Sequence, residues 1–294
     1  MITSRLRTLR DHIRWAVSRF HGEDLFFGHG TDNAFDEAVF IVLESLNLPI
    51  DTLDPYWNAR LTTGERQRLS NLIDLRITTR KPAPYLLNKA YIQGYPFYVD
   101  DRVLIPRSFI AELLCGPDGF APIPDYDDVK TVLDLCTGSG CLGIIAAHLF
   151  PNAVVDCADI SGDALDVATR NIKDYGLESR VFVQKGDLFD AVRGKKYDLI
   201  ITNPPYVDKD GMESLPPEFK VEPSLTLATD EDELDIVHRI LKDAKSHLND
   251  GGGILCELGR CGPALEDSYP DKKFLWQSTV NSKDEVFWMK KSDL

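Results

Sequence analysis

The chain reads as an α/β protein, a doubly wound and largely parallel sheet preceded by a helical region. Three observations predict this. From residue 131 onward, short apolar β runs alternate with stretches of helical periodicity. The first run opens into a Gly-rich turn and a helix, and the fourth closes on Asn203-Pro204-Pro205-Tyr206. A length of 294 residues exceeds the usual single domain, and 43% hydrophobic with 27% charged residues is an ordinary globular composition.

Residues 1–90 read as a helical domain. Leu6, Leu9, Ile13, Ala16, Val17 and Phe20 recur at helical spacing. The Arg-rich segment 4–20, with Asp11 its one acid, also fits a mitochondrial transit peptide, but the amphipathic spacing favours a folded helix. Apolar periodicity returns at Phe35, Ala38, Val39, Ile41, Val42, Leu43 and Leu46, and at Leu69, Leu72, Ile73 and Leu75. Leu48-Pro49 and Thr63-Gly64 supply the turns between. Residues 91–128 read as a β-hairpin and linker, with Asp100-Asp101 the expected hairpin turn and a Pro-rich linker containing Pro117, Pro122 and Pro124.

The sheet is expected in residues 129–294. Its β runs are 131–135, 154–158, 181–184, 197–202, 253–257, 274–277 and 286–289, with helices over 142–150, 164–175 and 234–248. The last two runs, joined through 281–284, predict an antiparallel hairpin at the sheet edge.

Net charge is −14, which argues against a protein that grips a nucleic-acid backbone and suits a basic partner. Residues 1–100 carry 12 basic and 12 acidic side chains, so the excess lies in the rest of the chain. Much of it follows Tyr206, in Asp208, Asp210, Glu213, Glu218, Glu222, Asp230, Glu231, Asp232, Glu233 and Asp235. This stretch reads as a solvated loop, or as a surface that steers a basic partner. The six Cys show neither Cys-x-x-Cys nor zinc-ligand spacing, so no metal is expected and they read as buried thiols of a reducing cytosol. No apolar run reaches the length of a membrane span, and nothing resembles a secretory signal.

Residues 134–143, Asp-Leu-Cys-Thr-Gly-Ser-Gly-Cys-Leu-Gly, join the first strand to a helix, where small residues admit a ligand to the backbone. Asp134, Thr137, Gly138, Ser139 and Gly140 are the candidate cofactor contacts there. The second strand ends at Asp159, suited to accept both hydroxyls of a ribose; Ser161 serves better as the helix N-cap. The third ends at Gly186-Asp187-Leu188, where Asp187 suits an adenine amino group and the apolar neighbour its ring. NAD would need a second mononucleotide half and would leave Asn203 to Tyr206 unexplained. S-adenosylmethionine needs one ribose, one adenine, a Gly-rich loop and a fourth strand that brings an acceptor to the methyl. At that fourth strand end, the Asn203 side-chain oxygen and the Pro204 carbonyl can accept from a planar NH2 group, Pro fixes the backbone, and Tyr206 offers a flat face. The bland alternative is a rigid turn.

With these motifs in view, the chain resembles the HemK-related family of protein-glutamine methyltransferases over nearly its whole length. The resemblance rests on Pro84-Tyr85, residues 95–99, the arm Val103-Leu104-Ile105-Pro106-Arg107, the Gly-rich loop, Asn203 to Tyr206, Leu215-Pro216-Pro217-Glu218 and Glu222-Pro223. It implies the fold of a class I S-adenosylmethionine-dependent methyltransferase, a Rossmann-like seven-stranded sheet with a helical N-terminal domain for substrate recognition. It also implies Asn203, Pro204 and Tyr206 as catalytic and Asn203, Pro204, Pro205, Tyr206 and Arg107 as substrate contacts, with Asn203 and Leu188 against the cofactor. Ser108 after Arg107, where release-factor enzymes continue Pro-Glu-Thr, resembles the branch acting on the large-subunit ribosomal protein L three. Release-factor methylation and adenine amino-methylation are the alternatives. Lys89-Ala90 and Glu233 depart from the usual family pattern.

Overall fold

The computed structural model describes residues 5–117, 119–123, 125–229 and 233–294. Residue 4, Pro124 and the acids Asp230, Glu231 and Asp232 lie outside the described residues. The chain forms two compact units, one of Met1–Ala90, Val99–Asp101 and Leu215–Val221, the other of Tyr91–Tyr98, Arg102–Ser214 and Glu222–Leu294.

The first unit is helical: α1 (Leu9–Gly22), α2 (Ala34–Ser45), α3 (Thr63–Thr79) and α4 (Ala83–Leu87). Thr8 with Asp11 and Thr62 with Glu65 form reciprocal capping boxes that start α1 and α3 where polar residues precede apolar periodicity. Leu9, Ile13, Ala16 and Phe20 of α1 meet Ala38, Ile41 and Val42 of α2 and Leu69 and Ile73 of α3 in one buried cluster. Phe35 and Leu75 were expected in this core but stand 45% and 46% exposed. Both sit at the edge of their apolar stripes, where the helix has turned toward water.

Inside this unit Arg76 is fully buried. It donates to Glu37 Oε1 at 2.7 Å and to the Phe26 carbonyl at 2.9 Å, and lies 3.5 Å from Glu218 Oε1. Arg80 donates to the same Glu218 oxygen at 3.1 Å. Glu218 is therefore a buried ion-pair partner and not part of the solvated acidic surface expected from the sequence.

The second unit opens with a hairpin, β1 (Ala90–Ile92) and β2 (Tyr95–Phe97). Its turn is at Gln93-Gly94, with φ of 49° and 79°, and not at Asp100-Asp101. Two successive positive φ values make the tight turn that matches strand twist, and Gly94 adopts one of them without strain. Helix α5 (Phe109–Leu114) follows. The segment expected as hairpin and linker is built into this unit's core: Ile92, Phe97, Ile110, Leu114 and Phe120 join the same buried cluster as Val132 and Leu199. Tyr126 fastens it, its hydroxyl accepting from Phe120 N at 2.7 Å and donating to the Leu114 carbonyl at 3.0 Å.

The remaining elements are β3 (Thr131–Leu135), α6 (Cys141–Leu149), β4 (Val154–Asp159), α7 (Gly162–Asp174), β5 (Val181–Lys185), β6 (Tyr197–Thr202), α8 (Lys209–Ser214), α9 (Asp235–Ala244), β7 (Leu248–Glu257), α10 (Gly262–Ser268), β8 (Leu275–Ser278) and β9 (Lys283–Lys290). They form a seven-stranded sheet in the order β5-β4-β3-β6-β7-β9-β8. The first five strands in that order are parallel, and β9 runs antiparallel to both β7 and β8, the expected edge hairpin. Alternation along each strand feeds two cores. Val132, Leu199, Ile201 and Leu255 pack with α5 and α6, while Leu133, Leu135, Ile200 and Ile254 pack with α9.

Arg76 holds two buried carboxylates, and removing a buried cation leaves its partners uncompensated at a cost of about 3–5 kcal/mol. Arg76→Ala is expected to lower the urea midpoint accordingly. Adding Glu37→Gln, which removes one orphaned charge, should recover part of the loss; chemical denaturation followed by tryptophan fluorescence reads both.

Candidate active site

Five parallel strands leave the sheet at one edge, and the chain's small and acidic residues collect there. A cavity of about 230 Å³ opens among the ends of β3, β4, β5 and β6. Its walls include Cys136, Gly138, Asp159, Asp187, Leu188, Asn203 and Pro205, together with Arg102, Ile236 and Arg239. A smaller cavity of about 110 Å³ is lined by Asn203, Pro204, Tyr206, Arg107, Leu104 and Glu257. Asn203 belongs to both walls.

The Gly-rich loop bends at Cys136, Gly138 and Gly140, with φ of 60°, 55° and 80°. A Cβ on Gly138 would meet nothing within 4 Å, whereas one on Gly140 would lie 3.1 Å from the Ala168 methyl. Gly138 thus keeps its face toward the cavity bare, and Gly140 lets α6 start against α7. Asp159 ties loop to strand end, its Oδ2 accepting from Gly138 N and its Oδ1 from Ser161 N, both at 2.9 Å. Burial raises its pKa against these bonds. Ser161 caps α7 as expected.

Four of the expected cofactor residues do not reach the cavity wall. Asp134 is buried beneath the loop, where Oδ2 accepts from Thr137 Oγ1 and, at 2.8 Å, from Gly143 N. Oδ1 has no hydrogen-bond partner among the described residues, and burial lifts the carboxyl to about 7. Thr137 and Ser139 are also buried, and Gly140 faces Ala168. These residues shape the loop from behind, the Asp134 carboxylate gathering the Thr137 hydroxyl and the Gly143 N–H of α6. Asn171 of α7, not expected from sequence, completes this support by donating to the carbonyls of Ser139 and Tyr98 at 2.9 and 3.0 Å and accepting from Tyr98 N at 2.8 Å.

At the end of β5, Asp187 is 46% exposed and pairs through Oδ2 with Arg239 of α9. Leu188 follows in the left-handed region, φ 47°. At the end of β6, Thr202 Oγ1 donates to the Leu135 carbonyl at 2.8 Å and anchors the strand exit. The next residue, Asn203, donates through Nδ2 to Glu257 Oε1 at 3.2 Å. Pro204 and Tyr206 turn to the smaller cavity and Pro205 to the larger one. Burial, then the nearby Glu257 charge, pushes the Tyr206 phenol well above its ordinary range.

Arg107 lines the smaller cavity, but its guanidinium is committed. Its two terminal nitrogens donate to the two oxygens of Glu222 at 2.7 Å each, and Ile105 N adds a bond to Glu222 Oε1 at 3.1 Å. Glu222 is buried, a second acid removed from the expected solvated stretch. Glu257 also lines the smaller cavity, and it was not among the site residues expected from the sequence. Its Oε2 accepts from Ser108 Oγ at 2.6 Å and Phe109 N at 2.9 Å, and burial raises its pKa to about 7. The signal was present: a carboxylate closing the buried run Gly252 to Cys256 at the end of β7.

The strand order, the Gly-rich turn under β3 and the acids ending β4 and β5 define a class I methyltransferase. A family profile described as "Methyltransferase small domain" matches residues 123–215. A ribosomal protein uL3 glutamine methyltransferase of Bradyrhizobium diazoefficiens is 50% identical over 294 residues, spanning 98% of this chain and 92% of its own length. Proteins of the same name from Bordetella pertussis and Neisseria meningitidis serogroup A are each 47% identical over 290 residues, covering 98% of this chain and 97% and 95% of their own. The chain belongs to the family of ribosomal protein uL3 glutamine methyltransferases. Among solved structures, a methyltransferase from Pyrococcus furiosus aligns at 16% identity with a TM-score of 0.46, over 79% of this chain and 99% of that one.

Two tests follow from the geometry. Asp134 goes from an ordinary 3.8 to about 7 on burial, so its proton is held more tightly in the fold and its share of stability is lost as pH rises from about 4 through 7. Asp134→Asn keeps an acceptor for Thr137 and Gly143 without the charge, so its melting temperature relative to the unaltered protein should climb between pH 5 and pH 8. At Gly259, φ is +54° and a Cβ would stand 2.8 Å from the Tyr206 ring. Gly259→Ala is expected to displace that ring and reduce methyl transfer about 10- to 100-fold, with cofactor affinity retained in equilibrium titration.

Proposed function

We propose that this chain transfers the methyl group of S-adenosylmethionine to the side-chain amide nitrogen of a glutamine in ribosomal protein uL3. The observation that carries this reading is Asn203, which stands in the wall of both cavities. A donor in the larger cavity and an acceptor in the smaller one would meet at that residue.

The larger cavity suits the donor. Asp159 accepts from the ribose hydroxyls, Asp187 offers the adenine amino group the oxygen that Arg239 leaves, Leu188 flanks the ring, and the bare face of Gly138 admits the rest. S-adenosylmethionine supplies an electrophilic methyl on a positively charged sulfur.

A glutamine amide is a poor nucleophile because its nitrogen lone pair is delocalised into the carbonyl. The Asn203 oxygen and the Pro204 carbonyl accept the two amide hydrogens, turn the nitrogen toward the methyl and draw the lone pair back onto it. Tyr206 packs on the amide plane. This is positioning and electrostatics; a strong base is unnecessary, since the proton leaves after transfer.

The relatives' substrate supports the ribosomal protein over a release factor, and the net charge of −14 disfavours a nucleic-acid substrate. The helical unit is the part assigned to recognising the protein substrate. Once Glu218 and Glu222 are set aside as ion-pair partners, Asp208, Asp210, Glu233 and Asp235 are described acids of that stretch that would steer a basic partner. Among the described residues no helix is long and apolar enough to cross a membrane. The reaction is assigned to the cytoplasm.

Asn203→Ala is expected to cut turnover at least about 100-fold, the scale on which a single polar contact to the reacting group is lost, while S-adenosylmethionine affinity changes little. Labelled-methyl transfer to purified uL3 and equilibrium titration of the cofactor read the two quantities. Near-normal transfer by this variant would remove the assignment.

A further inference from the structure

An Asn side chain is nearly symmetric in shape but opposite at its two ends, one an acceptor and the other a double donor. A half-turn of χ2 therefore converts the proposed clamp from one that receives an NH2 group into one that repels it. Nothing in the Asn-Pro-Pro-Tyr sequence decides which way the amide faces. The neighbouring strand does.

In the parallel pairing of β6 with β7, Thr202 stands opposite Cys256. The next residues along, Asn203 and Glu257, are therefore neighbours at the strand exits. Glu257 is 2% exposed, and both of its oxygens are engaged. Oε2 receives Ser108 Oγ and Phe109 N, and Oε1 receives Asn203 Nδ2. Ser108 Oγ is itself an acceptor for Ile110 N, so its own hydrogen is directed to the carboxylate. A carboxylate is the one side-chain group of this size that accepts at both ends. Its partners are donors on both sides, which explains why an acid is kept where burial lifts its pKa to about 7.

We propose that Glu257 is a positioning residue that sets the orientation of the Asn203 amide, with Ser108 and the Phe109 N–H setting Glu257 in turn. The inference rests on the reading of Asn203 as an acceptor for the glutamine NH2. With Nδ2 held by Oε1, the Asn203 oxygen is the end left for the substrate. Ser108 opens the segment Ser108-Phe109-Ile110, one of the places where the sequence resembles the ribosomal-protein branch. It touches the clamp through Glu257 and not through substrate.

The isosteric change Glu257→Gln makes a sharp test. Phe109 N–H and Ser108 O–H still require an acceptor, so the introduced amide places its oxygen toward them and its NH2 toward Asn203. Two donors then face each other. Asn203 turns over to offer its oxygen to that NH2, and its own NH2 enters the acceptor cavity. Turnover on uL3 should fall about 100-fold or more while S-adenosylmethionine affinity stays within about twofold. The double variant Glu257→Gln with Asn203→Asp restores the pattern. The introduced carboxylate accepts from the introduced amide with one oxygen and presents the other to the substrate, and the pair carries one negative charge as before. It should recover at least about tenfold over Glu257→Gln alone, whereas Asn203→Asp in the unaltered background sets two carboxylates together and should be impaired.

Turnover and cofactor titration of these variants are read beside Asn203→Ala. Glu257→Gln turning over within about threefold of the unaltered enzyme while Asn203→Ala is inactive overturns the positioning role and leaves the clamp standing. Loss in Glu257→Gln without recovery in the double variant also overturns it, since the acid would then act on the fold of the arm. Normal activity of Asn203→Ala removes the clamp itself.

Discussion

In a parallel sheet, successive strands all leave at the same edge. Here β5, β4, β3, β6 and β7 deliver Asp187, Asp159, the Gly-rich turn, Asn203 and Glu257 to that edge. The lateral order of the strands is thus also the order of the side groups along that edge: two acids, a bare backbone turn, an amide and a buried carboxylate. The central place of β6 puts Asn203 between the turn of β3 on one side and the end of β7 on the other. A residue at an edge strand would have one such neighbour. Both cavities depend on this position, because each borrows one of those neighbours as its far wall.

The same convergence concentrates acids where water is scarce. Burial raises Asp134 and Glu257 to about 7 and lifts Asp159 above its ordinary value, each against hydrogen bonds that pull the other way. The Asp159 charge adds to the rise at Asp134, a cost to the fold that a cation bound beside them would offset. A sulfonium is a cation without hydrogens to donate, so it is served by the charge of nearby carboxylates and not by a hydrogen bond to any one of them. The strain is also kept local. Asp159 accepts from Gly138 N of the turn and Asp134 from Gly143 N in the first turn of α6, so these acids also fix the loop and the helix it leads into.

What was legible in the sequence was local. The strands from β3 to β9 follow from short apolar runs; Asp159 and Asn203 are legible because each is the polar residue that closes such a run, and Asp187 because it follows Gly186 just past β5. Pairings between distant residues were not. Arg107 with Glu222 and Arg76 with Glu218 join residues over a hundred positions apart, and the sequence offers only acids in a polar stretch and cations elsewhere. The hairpin turn was misplaced because Asp-Asp is a common turn pair, while Gln-Gly is read as a turn only once Gly is seen to take the second positive φ. Asp134 and Thr137 flank the Gly-rich turn in sequence, but their side chains are buried away from the cavity wall. The tightness of the turn is what sends them inward, and tightness is a property of φ values and not of residue type.

The rigid-turn and clamp readings of Asn203 to Tyr206 describe one property. A clamp that accepts two hydrogens at once must hold its two acceptors at fixed separation, since freedom in either is lost again when the substrate binds. Pro204 is buried, Thr202 is pinned to the Leu135 carbonyl, and Gly259 lets the Tyr206 ring close over the turn without a Cβ between them. Rigidity of that kind also selects the acceptor chemistry. A group with two hydrogens on one nitrogen satisfies both acceptors. A hydroxyl satisfies one and leaves the other buried and unpaired, a penalty of about 1–3 kcal/mol. A lysine ammonium has hydrogens enough but no lone pair to attack with. The turn is therefore selective for NH2 only while both of its oxygens face the substrate. In this fold the Asn203 amide nitrogen is held by Glu257 on the strand next door, which leaves its oxygen free to face the other way.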